Sequence, residues 1–83
     1  SWNALYDVLT KSKGENVVHG AGMVLSGENN LVHSNGRFTA IVGADNLAVI
    51  NTEDATLVVP KEKVDHIKDL VFLLKKEGHE NLL

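Results

Sequence analysis

The sequence contains no cysteine, which excludes disulfide bridges, cysteine-ligated zinc and a cysteine nucleophile. It has one proline and four aromatic residues among 83, so a core must be built from Val, Leu, Ile and Ala. Its net charge of −3 argues against a nucleic-acid surface or an anionic membrane surface. Its apolar runs fall far short of the roughly 20 residues that span a bilayer. These absences leave an aliphatic globular domain.

The composition that remains is globular, with 43% hydrophobic and 23% charged residues. Eighty-three residues leave room for one core. A domain of this size buries only about 60% of its chain surface, so we expect a partner to contribute to its stability. The chain opens at Ser1 without an initiator methionine or a signal peptide, so we expect it to be a piece of a longer polypeptide.

The negative charge is concentrated in one part of the chain. Residues 1–40 and 61–83 are each neutral, so the excess lies in Asp45, Glu53 and Asp54. Small polar residues surround these three acids, which is typical of solvated turns. We interpret them as a turn surface and not as a metal site.

Periodicity predicts a short amphipathic helix over residues 2–10, where apolar residues recur three and four positions apart. Residues 11–16 are mostly small or polar and include Gly14, so they end this helix. Residues 1–16 are therefore predicted to be a helix and linker.

Residues 17–59 are predicted to form the β region of a single domain. Short β-rich runs alternate there with turn residues, over residues 17–19, 23–26, 30–34, 38–42, 47–51 and 56–59. Asn35-Gly36 is a type I′ hairpin signal and favours an antiparallel meander. The even spacing of the runs also suits a solenoid of parallel coils. Spacing alone does not decide between the two.

Residues 60–78 are predicted to form a C-terminal helix that begins at Pro60 and ends at Gly78. One apolar stripe repeats at helical spacing along it, formed by Val64, Ile67, Val71 and Leu74. Residues 70–74 are apolar nearly all round, which a surface helix of a monomer does not need. We therefore predict an interface with a second surface, formed by Leu70, Phe72, Leu73 and Leu74.

No catalytic, cofactor-binding or metal site is predicted. Gly20-Ala21-Gly22 is followed by another β run and not by a helix, so it indicates a turn and not a phosphate loop. The four histidines (His19, His33, His66 and His79) have no metal-ligand spacing, and His19 and His33 could meet only if the fold joined their two β runs. Asp54 is interpreted as a turn residue whose carboxylate accepts backbone N–H bonds.

The sequence resembles a known family over nearly its whole length. Residues 1–9 resemble the segment that follows the nucleotidyltransferase domain of bacterial mannose-1-phosphate guanylyltransferases (GDP-mannose pyrophosphorylases). Residues 42–61, with Val42-Gly43, Thr52-Glu53-Asp54-Ala55 and Leu57-Val58, are similar to a run of that family, and residues 64–71 continue the pattern. The chain is thereby identified as similar to the family's C-terminal domain.

The resemblance implies both a fold and a function. The fold is mainly β, a short left-handed parallel β-helix flanked by the two predicted helices. The parent enzyme transfers GMP from GTP to mannose 1-phosphate with Mg²⁺, giving GDP-mannose and pyrophosphate. Its catalytic motifs belong to an N-terminal nucleotidyltransferase domain and have no counterpart here. The fragment is therefore expected to be an inactive structural and oligomerisation domain of a cytoplasmic homodimer.

Two other functions stay open on the sequence. The chain could be the equivalent domain of another sugar-1-phosphate nucleotidyltransferase. It could also be an acyltransferase-like β-helix module, with His19 or His33 as the base. Because residues 80–83 show no linker, we expect the form without a further isomerase domain.

Overall fold

A computed structural model of the chain describes residues 7, 9 and 14–82. The predicted N-terminal helix over residues 2–10 lies outside the described residues apart from Asp7 and Leu9, which are both helical. The described residues form six strands, which are β1 (Val17–His19), β2 (Gly22–Leu25), β3 (Leu31–His33), β4 (Thr39–Val42), β5 (Leu47–Asn51) and β6 (Thr56–Pro60). Within residues 14–82 there is one α-helix, α1 (His66–Lys76), which lies between 3₁₀ turns at Lys61–Lys63 and Glu80–Leu82. The prediction of a mainly β domain is confirmed.

The strands form parallel coils and not a meander. Strands β1, β3 and β5 pair in parallel in one sheet, here called the large sheet, and β2 and β4 pair in parallel in a second, small sheet. The first coil gives β1 to the large sheet and β2 to the small sheet, and the second coil likewise gives β3 and β4. The meander alternative is wrong at Asn35-Gly36, because β3 and β4 lie in different sheets. A type I′ turn needs two residues with positive φ, and of this pair only Gly36 has one.

The last strand reverses direction. β6 runs antiparallel to β5, with Ile50 opposite Leu57. Thr52 closes the turn between them: its N–H donates to the Ala55 carbonyl oxygen at 2.8 Å, and its hydroxyl accepts the Ala55 N–H at 3.2 Å. The prediction that the Asp54 carboxylate holds this turn is wrong, since the Thr52 side chain makes those bonds and Asp54 is exposed.

The main core lies on one face of the large sheet. Alternate residues of its strands point to that face and meet Leu9 and α1. The buried members of this cluster are Leu9, Leu31, Ala48, Ile50, Leu57, Val59 and Ile67. Among the described residues every buried member is aliphatic, in line with the scarcity of aromatic residues.

A second buried layer lies between the two sheets. Val32 on β3 is fully buried and Ile41 on β4 nearly so. In the turns that follow β2 and β4, the backbones of successive coils approach so closely that a Cβ on Gly27 would overlap the Ala44 carbonyl oxygen and lie 2.8 Å from Nδ2 of Asn30. Glycine is needed at position 27 for this reason, although its φ is not positive.

Asn30 ties the loops of successive coils together. Its side chain is fully buried, its Nδ2 donates to the Ala44 carbonyl oxygen at 2.7 Å, and its Oδ1 accepts the Leu47 N–H at 2.9 Å. Its own backbone N–H donates to Oδ1 of Asn16 at 3.0 Å. One amide therefore satisfies buried backbone groups that the strand ladders leave open.

The C-terminal helix begins later than residue 60. Pro60 has ψ 135° and is the last residue of β6, because the Lys61 N–H donates to the Asn46 carbonyl oxygen and extends the strand by one bond. The α-helix starts at His66. Beyond its end Gly78 has φ +81°, and the His79 N–H donates back to the Leu74 carbonyl oxygen at 2.7 Å, as a glycine stop requires.

We predict that Asn30→Ala lowers the free energy of unfolding by about 2–4 kcal/mol, because the Ala44 carbonyl and the Leu47 N–H lose their buried partner. Urea unfolding followed by circular dichroism measures the change. Asn35→Ala is the matched control: Asn35 is exposed, and its replacement should shift stability by less than about 0.5 kcal/mol. Equal losses in the two variants would contradict the role assigned to Asn30.

Candidate functional site

The three acids that carry the net negative charge, Asp45, Glu53 and Asp54, are divided between two turns. Asp45 lies in a turn, where its Oδ1 accepts the Glu28 N–H at 2.9 Å. Glu53 and Asp54 lie in the β5–β6 turn and are exposed. Across the described ranges, no three or more His, Asp or Glu side chains come together as a potential metal centre.

The Glu53–Asp54 turn borders an open depression of about 700 Å³. Its lining comes from the β3–β4 loop and the β5–β6 turn, with Asn35, Gly36, Arg37, Asn51, Thr52, Glu53, Asp54, Ala55 and Thr56. Arg37 and the two acids are exposed there, whereas Asn51 is buried and donates from Nδ2 to Oγ1 of Thr39 at 2.9 Å. No histidine lines the depression. Most of its lining residues are exposed, so it has the character of a solvated turn surface.

The fold brings His19 and His33 together, which the sequence left open. They are register partners on β1 and β3, with ring centroids 5.7 Å apart and planes inclined by 56°. His19 is exposed at the sheet edge, and Nδ1 of His33 is buried without a hydrogen-bond partner. The other two histidines are exposed, His66 at the start of α1 and His79 beyond Gly78, after the helix has ended.

A ladder of polar side chains runs along the turns that precede β3 and β5. Nδ2 of Asn29 donates to Oδ1 of Asn46 at 2.7 Å, and both residues have positive φ. Nζ of Lys61 donates to Oδ1 of Asn29 at 3.0 Å, and partial burial lowers the pKa of Lys61. These contacts hold consecutive turns in register, so the ladder has a structural role.

The predicted interface residues of α1 have different surroundings. Leu70 packs against the main core and Leu74 is half-buried. Phe72 is 66% exposed and Leu73 is 48% exposed, and we name these two the helix patch. The exposed apolar surface of the helix is therefore smaller than the predicted set of four.

The small sheet presents a second apolar surface that sequence reasoning missed. Met23, Leu25, Phe38 and Val42 are all more than half exposed along its outer side, and we name them the sheet patch. The signal was present, because β2 and β4 are apolar at successive positions and do not alternate with polar ones. Such a run is typical of a strand covered on both faces.

No helix in the described part of the chain combines the length and the apolar character needed to traverse a bilayer.

Comparison with known proteins assigns this arrangement of parallel coils and a terminal helix to a family. Residues 20–74 match the family described as the MannoseP isomerase/GMP-like beta-helix domain. The chain belongs to this family. The match begins at the corner before β2 and ends within α1, so it covers the small sheet, β3, β5, β6 and most of the helix.

The curated relatives are much longer than this chain. The alginate biosynthesis protein AlgA of Pseudomonas syringae pv. tomato is 32% identical over 77 residues, which cover 93% of this chain and 16% of that protein. The mannose-1-phosphate guanylyltransferase of Klebsiella pneumoniae is 36% identical over 76 residues, which cover 92% of this chain and 16% of that protein. The chain thus spans about one sixth of the length of these relatives.

A solved structure shares the fold. The crystal structure of mannose-1-phosphate geranyltransferase from Thermus thermophilus is similar to this chain with a TM-score of 0.69 and 30% identity. The similarity covers 89% of this chain and 23% of that one.

We predict that substitutions at buried and at exposed positions of α1 differ in their effect on the free energy of unfolding. Ile67 is 4% exposed, so Ile67→Ala should lower the free energy of unfolding by about 2–4 kcal/mol, the loss typical of a buried aliphatic side chain. Phe72→Ala should lower it by less than about 0.5 kcal/mol when measured at a protein concentration where the chain is monomeric. A loss at Phe72 as large as that at Ile67 would contradict the packing of the helix described above.

Proposed function

We propose that this chain is the C-terminal β-helix domain of a mannose-1-phosphate guanylyltransferase. The parent enzyme transfers GMP from GTP to mannose 1-phosphate and releases pyrophosphate. The supporting observation is the family match over residues 20–74, joined to relatives that align with more than nine tenths of this chain but only 16% of their own length. The guanylyltransferase name of one such relative supports the choice of reaction.

We further propose that the domain is structural and that catalysis belongs to an N-terminal nucleotidyltransferase domain. Mg²⁺ prefers oxygen ligands, and a nucleotidyltransferase needs carboxylates gathered around the phosphates. Asp45 lies in a different turn from Glu53 and Asp54, and in the described residues no three or more acids or histidines come together to hold a metal. These residues do not fit the ion, so we assign the Mg²⁺ of the parent to its N-terminal domain. The parent is proposed to be cytoplasmic.

The finer description of the fold is also a proposal. The parallel pairing of β1, β3 and β5 and of β2 and β4 supports a β-helix. We propose left-handed coils, as the family resemblance implies, with the helix over residues 2–10 and α1 flanking them.

The helix patch is proposed to bind a second copy of the domain, giving a homodimer. Phe72 and Leu73 are adjacent on α1 and expose large apolar side chains. Leu70 and Leu74, which are more buried, extend the same apolar segment towards the core. Two adjacent exposed apolar side chains on a helix suit a self-complementary contact between copies.

We predict that the 83-residue chain alone forms no GDP-mannose from GTP, mannose 1-phosphate and Mg²⁺. Pyrophosphate release and product chromatography measure the reaction, and the complete parent polypeptide is the positive control. GDP-mannose formation by the isolated chain would overturn the structural role. A complete polypeptide that uses UTP or ATP in place of GTP would support another sugar nucleotidyltransferase, and acetyl-CoA binding by the isolated chain would support the acyltransferase alternative.

We predict that Phe72→Glu abolishes self-association, because a carboxylate in a desolvated apolar contact costs more than the contact gains. Sedimentation equilibrium or light scattering across a concentration series measures the association. Val42→Glu is the matched control, since Val42 is as exposed as Phe72 but lies in the sheet patch. Association lost through Val42→Glu and retained in Phe72→Glu would place the interface on the small sheet and contradict the proposal.

A further inference from the structure

We propose that His19 and His33 form a two-histidine site for a borderline divalent transition-metal ion such as Zn²⁺ or Ni²⁺. Imidazole nitrogen is a preferred ligand of these ions, and the two residues contribute one ring each from adjacent strands. The inference rests on the geometry of β1 and β3 and is independent of the proposed enzymatic function.

The backbone fixes where the two rings begin. His19 and His33 are register partners in a parallel pair, so their side chains leave the same face of the sheet from strands about 4.8 Å apart. The main-chain bonds around the pair are well formed: the Ser34 N–H donates to the His19 carbonyl oxygen at 2.9 Å. The paired backbones therefore keep the two rings close together, and no direct contact between the rings is needed.

The separation of the rings fits one bridging ion. A ligating imidazole nitrogen lies about 2.1 Å from Zn²⁺, which puts the ring centre about 3.2 Å from the ion and two ring centres about 5.2 Å apart at tetrahedral angles. The observed centroids are 5.7 Å apart. His19 is exposed on the edge strand, so a small turn of its ring closes this difference.

His33 has a ring nitrogen without a hydrogen-bond partner, and a metal ion would take that partner's place. Its Nδ1 is buried and has no hydrogen-bond partner, an arrangement that is unfavourable for a polar atom. A metal ion coordinated to that atom would replace the missing hydrogen bond. Water would complete the ligand shell on the exposed side of His19. An ion bound there would cross-link the edge strand β1 to β3. The two strands pair through three residues.

Titration of the 83-residue chain with Ni²⁺ in a weakly coordinating buffer, followed by calorimetry, tests the site. We expect one equivalent to bind, and His19→Ala to weaken binding at least about tenfold, since one of two ligands is lost. His66→Ala is the matched control, because His66 is also exposed but lies on α1. It should bind Ni²⁺ as the unaltered chain does.

Nuclear magnetic resonance locates the ion without any substitution. Paramagnetic Ni²⁺ should broaden the amide signals of β1 and β3 first, and Zn²⁺ should raise the Tm of the chain and of His66→Ala but not that of His19→Ala. The proposal is overturned by unchanged affinity in His19→Ala, by broadening centred on His66 or His79, or by no stoichiometric binding at millimolar Ni²⁺.

Discussion

In-register parallel pairing between coils is the interaction on which the rest of this structure depends. Because each coil repeats the path of the one before it, equivalent residues stack on one another. Val32 pairs with Val49, Asn29 bonds to Asn46, and His19 lies beside His33. Aliphatic stacks give the core, amide stacks hold the turns, and the histidine stack gives the proposed pair of metal ligands. The parallel register thus places like residues together in the core, in the turns and at the histidine pair.

The two sheets differ in how they are covered. The large sheet is buried on both faces at its centre, by α1 on one side and by the small sheet on the other, as Leu31 and Val32 show. The small sheet is covered on its inner side only, where Ile41 is buried, whereas Met23 and Val42 on the outer side are exposed. A parallel sheet is usually covered on both faces. The sheet patch and the helix patch are therefore the surfaces on which a larger polypeptide or a second copy could pack.

The antiparallel return of β6 links the solenoid to its helix. By running back along β5, β6 covers the edge of the large sheet that a further parallel coil would occupy. Pro60 then ends the strand, and the 3₁₀ turn that follows leads into α1 over the same core face. The coils thus end in a covered edge, and the helix is placed where its apolar stripe is needed.

Local sequence signals determined the elements of this protein. Runs of β-branched and aliphatic residues between glycine and asparagine located six strands, and the apolar stripe through Ile67 located the helix, since both depend on near neighbours in the chain. Only the tertiary structure decided how the strands pair, that Asn30 bonds to backbone groups of the next coil, and that His19 meets His33. Those outcomes depend on residues 14 to 17 positions apart coming into register, and no short-range pattern encodes that alignment.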